Sequence, residues 1–403
     1  MTDKLRVLFV DDEIHILRGI RRSMLVMEEK WEMTFCSSGA EALAAMDVEV
    51  PFDVVVSDMR MPQMDGAEFL QAVRARHPET IRVILSGYAD LQSILRTVGP
   101  AHAYLAKPCS ADVLQAAVNR ALDLRHLLES PQLRAILTGL TNLPSLPSLF
   151  LDLDEELHSP GCSAKTVASI IDKDVSMMAE LLRLTNSSYF SVAGPISSTF
   201  QAVRMIGLET VQSLVLQIGI FRQFRGKESL VPVLYDITEY SIRIAGLAEK
   251  IARTMDVNPP LLLDVHCAAT LSLIGVVVLL DAFPDTYADV FRGDENGVPL
   301  SKREETAFGA SHAVVGAYLL RLWGFPTALV EAVAYAGNPS GCLRYDNPVL
   351  TALHAAVALG PEFPFGTLGN CAKEGLDMRY LIEARHDGLV AQWRDLAAEM
   401  HEG

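Results

Sequence analysis

Four short apolar runs, LRVLFV (5–10), FDVVVS (52–57), RVILSG (82–87) and AYLA (103–106), recur in the first third of the chain with helix-patterned segments between them. That alternation leaves few folds open. Runs of strand length without polar alternation are built to be buried on both faces, which a parallel sheet with helices on each side provides. The helical period is carried by EIHILRGIRRSML, with Ile14, Leu17, Ile20 and Leu25 in phase, by GAEALAAM after Ser37, Ser38 and Gly39, and by GAEFLQAVRAR from Gly66. The expected fold is α/β, a doubly wound five-stranded parallel sheet in which the last three runs are the third, fourth and fifth strands. Ligands of such sheets sit at the carboxyl ends of the strands, where the strand order reverses.

Polar residues stand at those ends one strand after another. Asp11 and Asp12 follow the first, Asp58 the third, Ser86 the fourth and Lys107 the fifth. Three clustered carboxylates repel one another unless a cation lies among them, and an all-oxygen set with room for water and a phosphoryl group suits Mg2+. A carboxylate nucleophile, a metal, a lysine and a hydroxyl are together the parts needed to accept a phosphoryl group as an acyl phosphate. In combination, the motifs VDD (10–12), SDMRMPQMDG (57–66), LSG (85–87) and AKP (106–108) resemble the receiver domain of two-component response regulators, over roughly residues 4–124. The resemblance implies a flavodoxin-like receiver with Asp58 as phosphoacceptor and Mg2+ bound by Asp12, Asp58 and the backbone carbonyl of Arg60. It further implies that Asp11 holds metal waters, that Ser86 and Tyr104 form a switch pair, that Lys107 neutralises the phosphoryl charge, and that the partner is a sensor histidine kinase. A flavodoxin-like domain with an acidic edge and no chemistry is the plain alternative; the lysine, proline and serine weigh against it.

The stretch ADVLQAAVNRALDLRHLLES (111–130) carries a helical stripe at Val113, Leu114, Ala117, Val118, Ala121, Leu124 and Leu128 and should end or kink at Ser130-Pro131. Such a stripe serves either to pair two copies as a homodimer or to pack on its own protein. From residue 141 the strand patterning stops. AKTVASIIDKD, VSMMAELLRLTNSSYF, FQAVRMIGLETVQSLVLQIG and YSIRIAGLAEKIARTM are helical, with breaks at Gly161, Gly194-Pro195, Gly207 and Pro259-Pro260, so an all-α domain follows. Within it LTNLPSLPSL, ELLRLTNSSYF and FQAVRMIGLETVQSLVL resemble the HDOD domain, a relative of HD-type metal phosphohydrolases, over about residues 133–338. The expected layout is a receiver at 1–124, a helical linker at 125–140, an all-α HDOD domain at 141–338 and a C-terminal helical extension at 339–403.

By that resemblance Tyr240 stands where active HD enzymes carry their first histidine, and Ser272 and Leu273 where they carry the adjoining histidine and aspartate. Ala336-Gly337 replaces two further histidines often found in metal-binding relatives. His312 is kept, and His266 and Asp264 lie nearby in sequence. Two metals that activate water need a full ligand set, so the domain is expected to be a non-catalytic output that binds a protein partner. The alternatives are a cyclic-dinucleotide (c-di-GMP) phosphodiesterase with a relocated metal site, and a transcription regulator, suggested by a helix-turn-helix pattern around MIGLETV.

A net charge of −16 and a pI near 5.1 disfavour general affinity for nucleic acid or an anionic membrane. The six cysteines lie far apart with no C-x-x-C pair, which argues against a disulfide framework and a zinc site. The apolar stretch Ala268–Leu280 is too short to span a bilayer, and a cytoplasmic protein is the expectation.

Overall fold

The computed structural model describes residues 4–48, 51–86, 101–122, 133, 136–138, 140, 143–145, 147–186, 195–213, 222–223, 231–292, 298–342, 344–362 and 375–402. Strands β1 (Leu5–Val10), β2 (Trp31–Cys36), β3 (Val54–Asp58), β4 (Ile81–Ser86) and β5 (Ala103–Ala106) form one parallel sheet in the order β2-β1-β3-β4-β5. The chain leaves β1 on one side to form β2 and returns on the other to form β3, so the strand order reverses between β1 and β3. Every residue of β3 and β4 is buried, as their unbroken apolar runs require. β2 has no such run, because WEMTFC lies at the sheet edge and is half-buried along its middle.

The pleat sends alternate side chains into two separate layers. Val7, Phe9, Val54, Val56, Val83 and Leu85 face α1 (Ile14–Ser23), which contributes Leu17, and α4 (Ala111–Leu122), which contributes Leu114 and Val118. Leu8, Val10, Val55 and Ile84 face α2 (Gly39–Val48) and α3 (Gly66–Arg76) through Leu43, Phe69, Leu70 and Val73. The start of α3 is fixed by Asp65, whose side chain accepts from the Glu68 N–H while the Glu68 carboxylate accepts from the Asp65 N–H. Of the stripe on 111–130, Leu114, Ala117 and Val118 are buried and Val113 is exposed, whereas Leu124, Leu128 and Pro131 lie outside the described residues.

The remainder of the described chain is almost entirely helical. It comprises α5 (Pro147–His158), α6 (Ala164–Ile171), α7 (Val175–Thr185), α8 (Thr199–Ile206), α9 (Leu208–Ser213), α10 (Val231–Thr254), α11 (Pro259–Leu271), α12 (Ile274–Ala282), α13 (Pro284–Arg292), α14 (Leu300–Phe308), α15 (His312–Leu322), α16 (Thr327–Tyr335), α17 (Pro348–Leu359), α18 (Met378–Glu383) and α19 (Val390–Glu402). Two-residue strands Pro144–Ser145 and Arg222–Gln223 pair beside it. The long helix α10 packs along α11 and α17. Helices α11 and α12 make Pro259–Ala282 an apolar stretch long enough by length and composition to cross a membrane, which corrects the expectation drawn from Ala268–Leu280 alone; 72% of its most apolar window is buried inside the protein. Trp393 of α19 is fully buried and donates to Thr254 Oγ1 of α10 at 2.7 Å.

Candidate functional site

Parallel register brings the polar residues to one edge of the sheet. Val10 of β1 lies opposite Ser57 of β3, Asp58 lies opposite Leu85, and Ser86 lies opposite Ala106. Asp11 and Asp58 are therefore level with one another where strand order reverses, with Ser86 one residue and Lys107 two residues further along the same edge. The Lys107 ammonium bridges the two carboxylates, 2.7 Å from Asp11 Oδ2 and in a short contact with Asp58 Oδ1. The other Asp58 oxygen accepts from the Arg60 N–H at 2.7 Å, and Asp11 Oδ1 accepts from the Glu13 N–H at 2.9 Å. Asp58 retains 7% of its surface in solvent, so it is rigid and reachable from one side.

Burial pushes the Asp58 carboxyl above its ordinary range, the Lys107 hydrogen bond and charge pull it back, and the neighbouring Asp11 charge adds to the rise. Burial alone would lower the Lys107 ammonium, but its hydrogen bonds to Asp11 and Asp58 outweigh that and hold it above its ordinary value. A buried carboxylate held up by desolvation and a like charge is one that a divalent cation would relieve. The oxygen donors expected from the sequence fit a hard cation in kind. They are not gathered as a cage, however, because among the described residues no three or more His, Cys, Asp or Glu side chains are placed to hold one ion. The set Asp11, Asp12 and Asp58 is drawn together only as the Asp11–Asp58 pair, with the Lys107 ammonium supplying the cation between them; Asp12 is half-buried beside it.

Ser86 is buried at the end of β4, and its carbonyl accepts from the Lys107 N–H at 2.7 Å. Tyr104 lies in β5 opposite Ile84, while its side chain falls outside the described residues. Sequence reasoning passed over Gly66 as a site residue. Its N–H donates to the Met59 carbonyl at 2.9 Å, and a Cβ built on it would stand 2.2 Å from the Asp58 carbonyl oxygen. Only glycine lets α3 start this close behind Asp58. The proline and glycine in SDMRMPQMDG were the visible signal.

The positions that the resemblance singles out in the helical domain are placed as follows. Tyr240 on α10 is nearly fully buried, which drives its hydroxyl well above the usual phenol range. Ser272 and Leu273 form the turn between α11 and α12, where the Ser272 hydroxyl donates to the Ala269 carbonyl. Ala336 ends α16 and Gly337 follows it. His312 at the start of α15 contacts the fully buried Glu304 through Nδ1 (2.6 Å) and its backbone N–H (2.7 Å). His266 sits 2.6 Å from Glu249 and is raised first by that hydrogen bond, whereas Asp264 accepts from Ser197 at 2.5 Å. The relocated site would need His266, Asp264 and His312 on one ion, and each is committed to a separate partner. Asn186, from the LTNSS motif, clamps Ile196 by both backbone groups at 2.6 and 2.8 Å.

A family model for the response regulator receiver domain matches residues 7–119, and one for the HDOD domain matches residues 143–339. The first stretch is similar to the hydrogenase transcriptional regulatory protein HoxA of Cupriavidus necator, 37% identical over 130 residues, or 32% of this chain and 26% of that protein. It is also similar to the DNA-binding transcriptional regulator NtrC of Escherichia coli, 36% identical over 104 residues, or 26% of this chain and 22% of that protein. An uncharacterized protein of Treponema pallidum is 22% identical over 205 residues, which cover 51% of this chain and 39% of that protein. The chain thus spans well under half the length of these relatives. Among solved structures, the MmoQ response regulator of Methylococcus capsulatus aligns over 63% of this chain and 98% of its own, at 20% identity and a TM-score of 0.44.

Proposed function

From a chain made of a response regulator receiver domain followed by an HDOD domain, we propose a phosphorylation-controlled regulator of two-component signalling whose Asp58 accepts a phosphoryl group from a histidine kinase. The observation that carries the proposal is the Asp11–Lys107–Asp58 bridge at the switch point of the sheet. An Asp58 oxygen attacks phosphorus as the bond to the kinase imidazole breaks, leaving an acyl phosphate on Asp58 and a neutral histidine on the kinase. The Arg60 N–H fixes one oxygen of the nucleophile, and Lys107 is already placed to neutralise the arriving charge. Asp11, Asp12, Asp58 and the Arg60 carbonyl would hold Mg2+, which when bound supplies the positive charge that lets an anionic donor approach three carboxylates. Ser86 and Tyr104 are the proposed switch pair.

The HDOD domain is the output, acting by protein contact rather than catalysis. Tyr240, Ser272 and Leu273 in place of ligands, and the separate commitments of His266, Asp264 and His312, favour that reading over a cyclic-dinucleotide phosphodiesterase. The proposed domain limits are 1–124, 125–140, 141–338 and 339–403. The test is phosphorylation of the full chain by a small phosphodonor such as acetyl phosphate. Label should enter with Mg2+, disappear with excess chelator and disappear in Asp58→Asn; label that persists in the variant would overturn the assignment.

A further inference from the structure

Residues 120–142 are matched by neither family model, yet one of them, Thr138, is bound tightly to the receiver. Its carbonyl accepts from His102 Nε2 at 2.7 Å and from the Arg82 guanidinium in a short contact, and its hydroxyl donates to the Pro78 carbonyl. Arg82 and His102 are both buried, as is Thr138. The Arg82 backbone N–H donates to His102 Nδ1 at 3.0 Å. The Arg82 guanidinium also lies 2.8 Å from His102 Nε2, so arginine, imidazole and the Thr138 carbonyl meet at one point. Arg82 also donates to the Thr80 carbonyl at 3.0 Å.

These residues occupy the amino end of β4 and the approach to β5, the edge of the sheet opposite Asp58. The same stretch of chain is held from its far side. The Leu143 N–H donates to Glu180 Oε1 at 2.9 Å, Glu180 pairs with Arg183 at 2.9 Å, and the Arg183 guanidinium lies 5.2 Å from the Trp323 ring centroid just past α15. Leu133, Leu137 and Leu143 are buried and join the apolar layer under α1 and α4 to the core of the helical domain. Helix α4 itself touches α15.

We propose that Arg82 and His102 form a latch that fixes the linker at Thr138 and makes it a pivot between the receiver and the helical domain. A strand arginine that is fully buried needs acceptors, and part of its set comes from a residue 56 positions downstream. Swinging the linker away would strip an acceptor from the arginine and from the histidine and open both to water, so domain docking and linker position are one equilibrium. The latch lies away from the carboxylate edge. The inference therefore stands without any phosphodonor.

The test is hydrogen exchange on the full-length protein, comparing wild type with Arg82→Met, with His102→Asn and with Thr138→Val, which removes the hydroxyl contact and leaves every charge in place. Arg82→Met should speed exchange about tenfold in the peptides covering 136–145 and 312–322, with β1 and β3 unchanged. Thr138→Val should speed the same peptides by a smaller factor. Wild-type exchange at 136–145 and 312–322 in His102→Asn, which keeps an acceptor for the Arg82 N–H and withdraws the Nε2 contact to the Thr138 carbonyl, overturns the latch, whether Arg82→Met is unchanged, loses protection throughout the sheet or fails to fold.

Discussion

Gly66→Ala isolates the packing that sets Asp58 in place. A Cβ at this position would lie 2.2 Å from the Asp58 carbonyl oxygen and 3.0 Å from both Met59 Cα and Ile84 Cδ1, where ordinary contacts begin at 3.4 Å. The isoleucine methyl can turn aside. The two backbone groups cannot, so the start of α3 and the end of β3 must part by about 1 Å. Overpacking of this kind costs about 3 kcal/mol at the upper end of its usual range, and the gain of alanine over glycine in a helix returns at most about 1 kcal/mol. A net loss of about 2 kcal/mol corresponds to a urea midpoint lower by about 1 M at a slope near 2 kcal/mol/M. Misplacing the nucleophile by the same amount should slow phosphorylation by about 100-fold. The control is Gly19→Ala on the exposed face of α1, where nothing lies within 4 Å of the new methyl; it should gain about 0.5–1 kcal/mol. A Gly66→Ala protein that matches wild type in both urea midpoint and labelling rate would refute the steric argument.

Lys107→Ala should destabilise the protein by about 3 kcal/mol, because it strands two buried carboxylates; adding Asp58→Asn should restore part of the loss, and a melting temperature indifferent to either change would contradict the bridge. Gly275→Ala would place a methyl 2.0 Å from the His312 carbonyl, where α12 and α15 cross. Urea unfolding should show a loss of about 2–3 kcal/mol, while phosphorylation of Asp58 stays at the wild-type rate. Burial, with the Arg82 charge and smaller effects from Arg183 and Arg74, holds the His102 imidazole well below its ordinary 6.5. The unfolded chain therefore binds a proton that the folded chain refuses once the pH drops below 6.5, so this stability is present above that value and lost as pH falls toward the depressed one. Urea midpoints measured from pH 7.5 to 5.5 should decline, and a decline of equal slope in His102→Gln would rule the histidine out.

Much of the receiver was legible because its signals are local. Unbroken apolar runs report strands buried on both faces, and the polar residue closing each run reports the sheet edge, so Asp11, Asp58, Ser86 and Lys107 could be grouped before any fold was known. β2 was not located, since an edge strand needs no continuous apolar run and WEMTFC has none. The helical domain was legible as helices, and its altered positions could be read from Tyr240, Ser272 and Leu273. What covers them could not.

The sequence by itself determined the parallel α/β domain, the succeeding all-α domain and which edge of the sheet gathers Asp11, Asp58 and Lys107, because hydrophobic period and chain order carry that information. Tertiary structure alone decided that Lys107 spans Asp11 and Asp58, residues 96 and 49 positions away, and that Gly66 backs onto the Asp58 carbonyl. It alone decided that Pro259–Ala282 turns at Ser272 inside a core, and that Arg82, which reads as one more residue of a strand, closes on Thr138. Each of these is a contact between groups distant in the chain, fixed by register and close packing, and neither leaves a period in the sequence to be read.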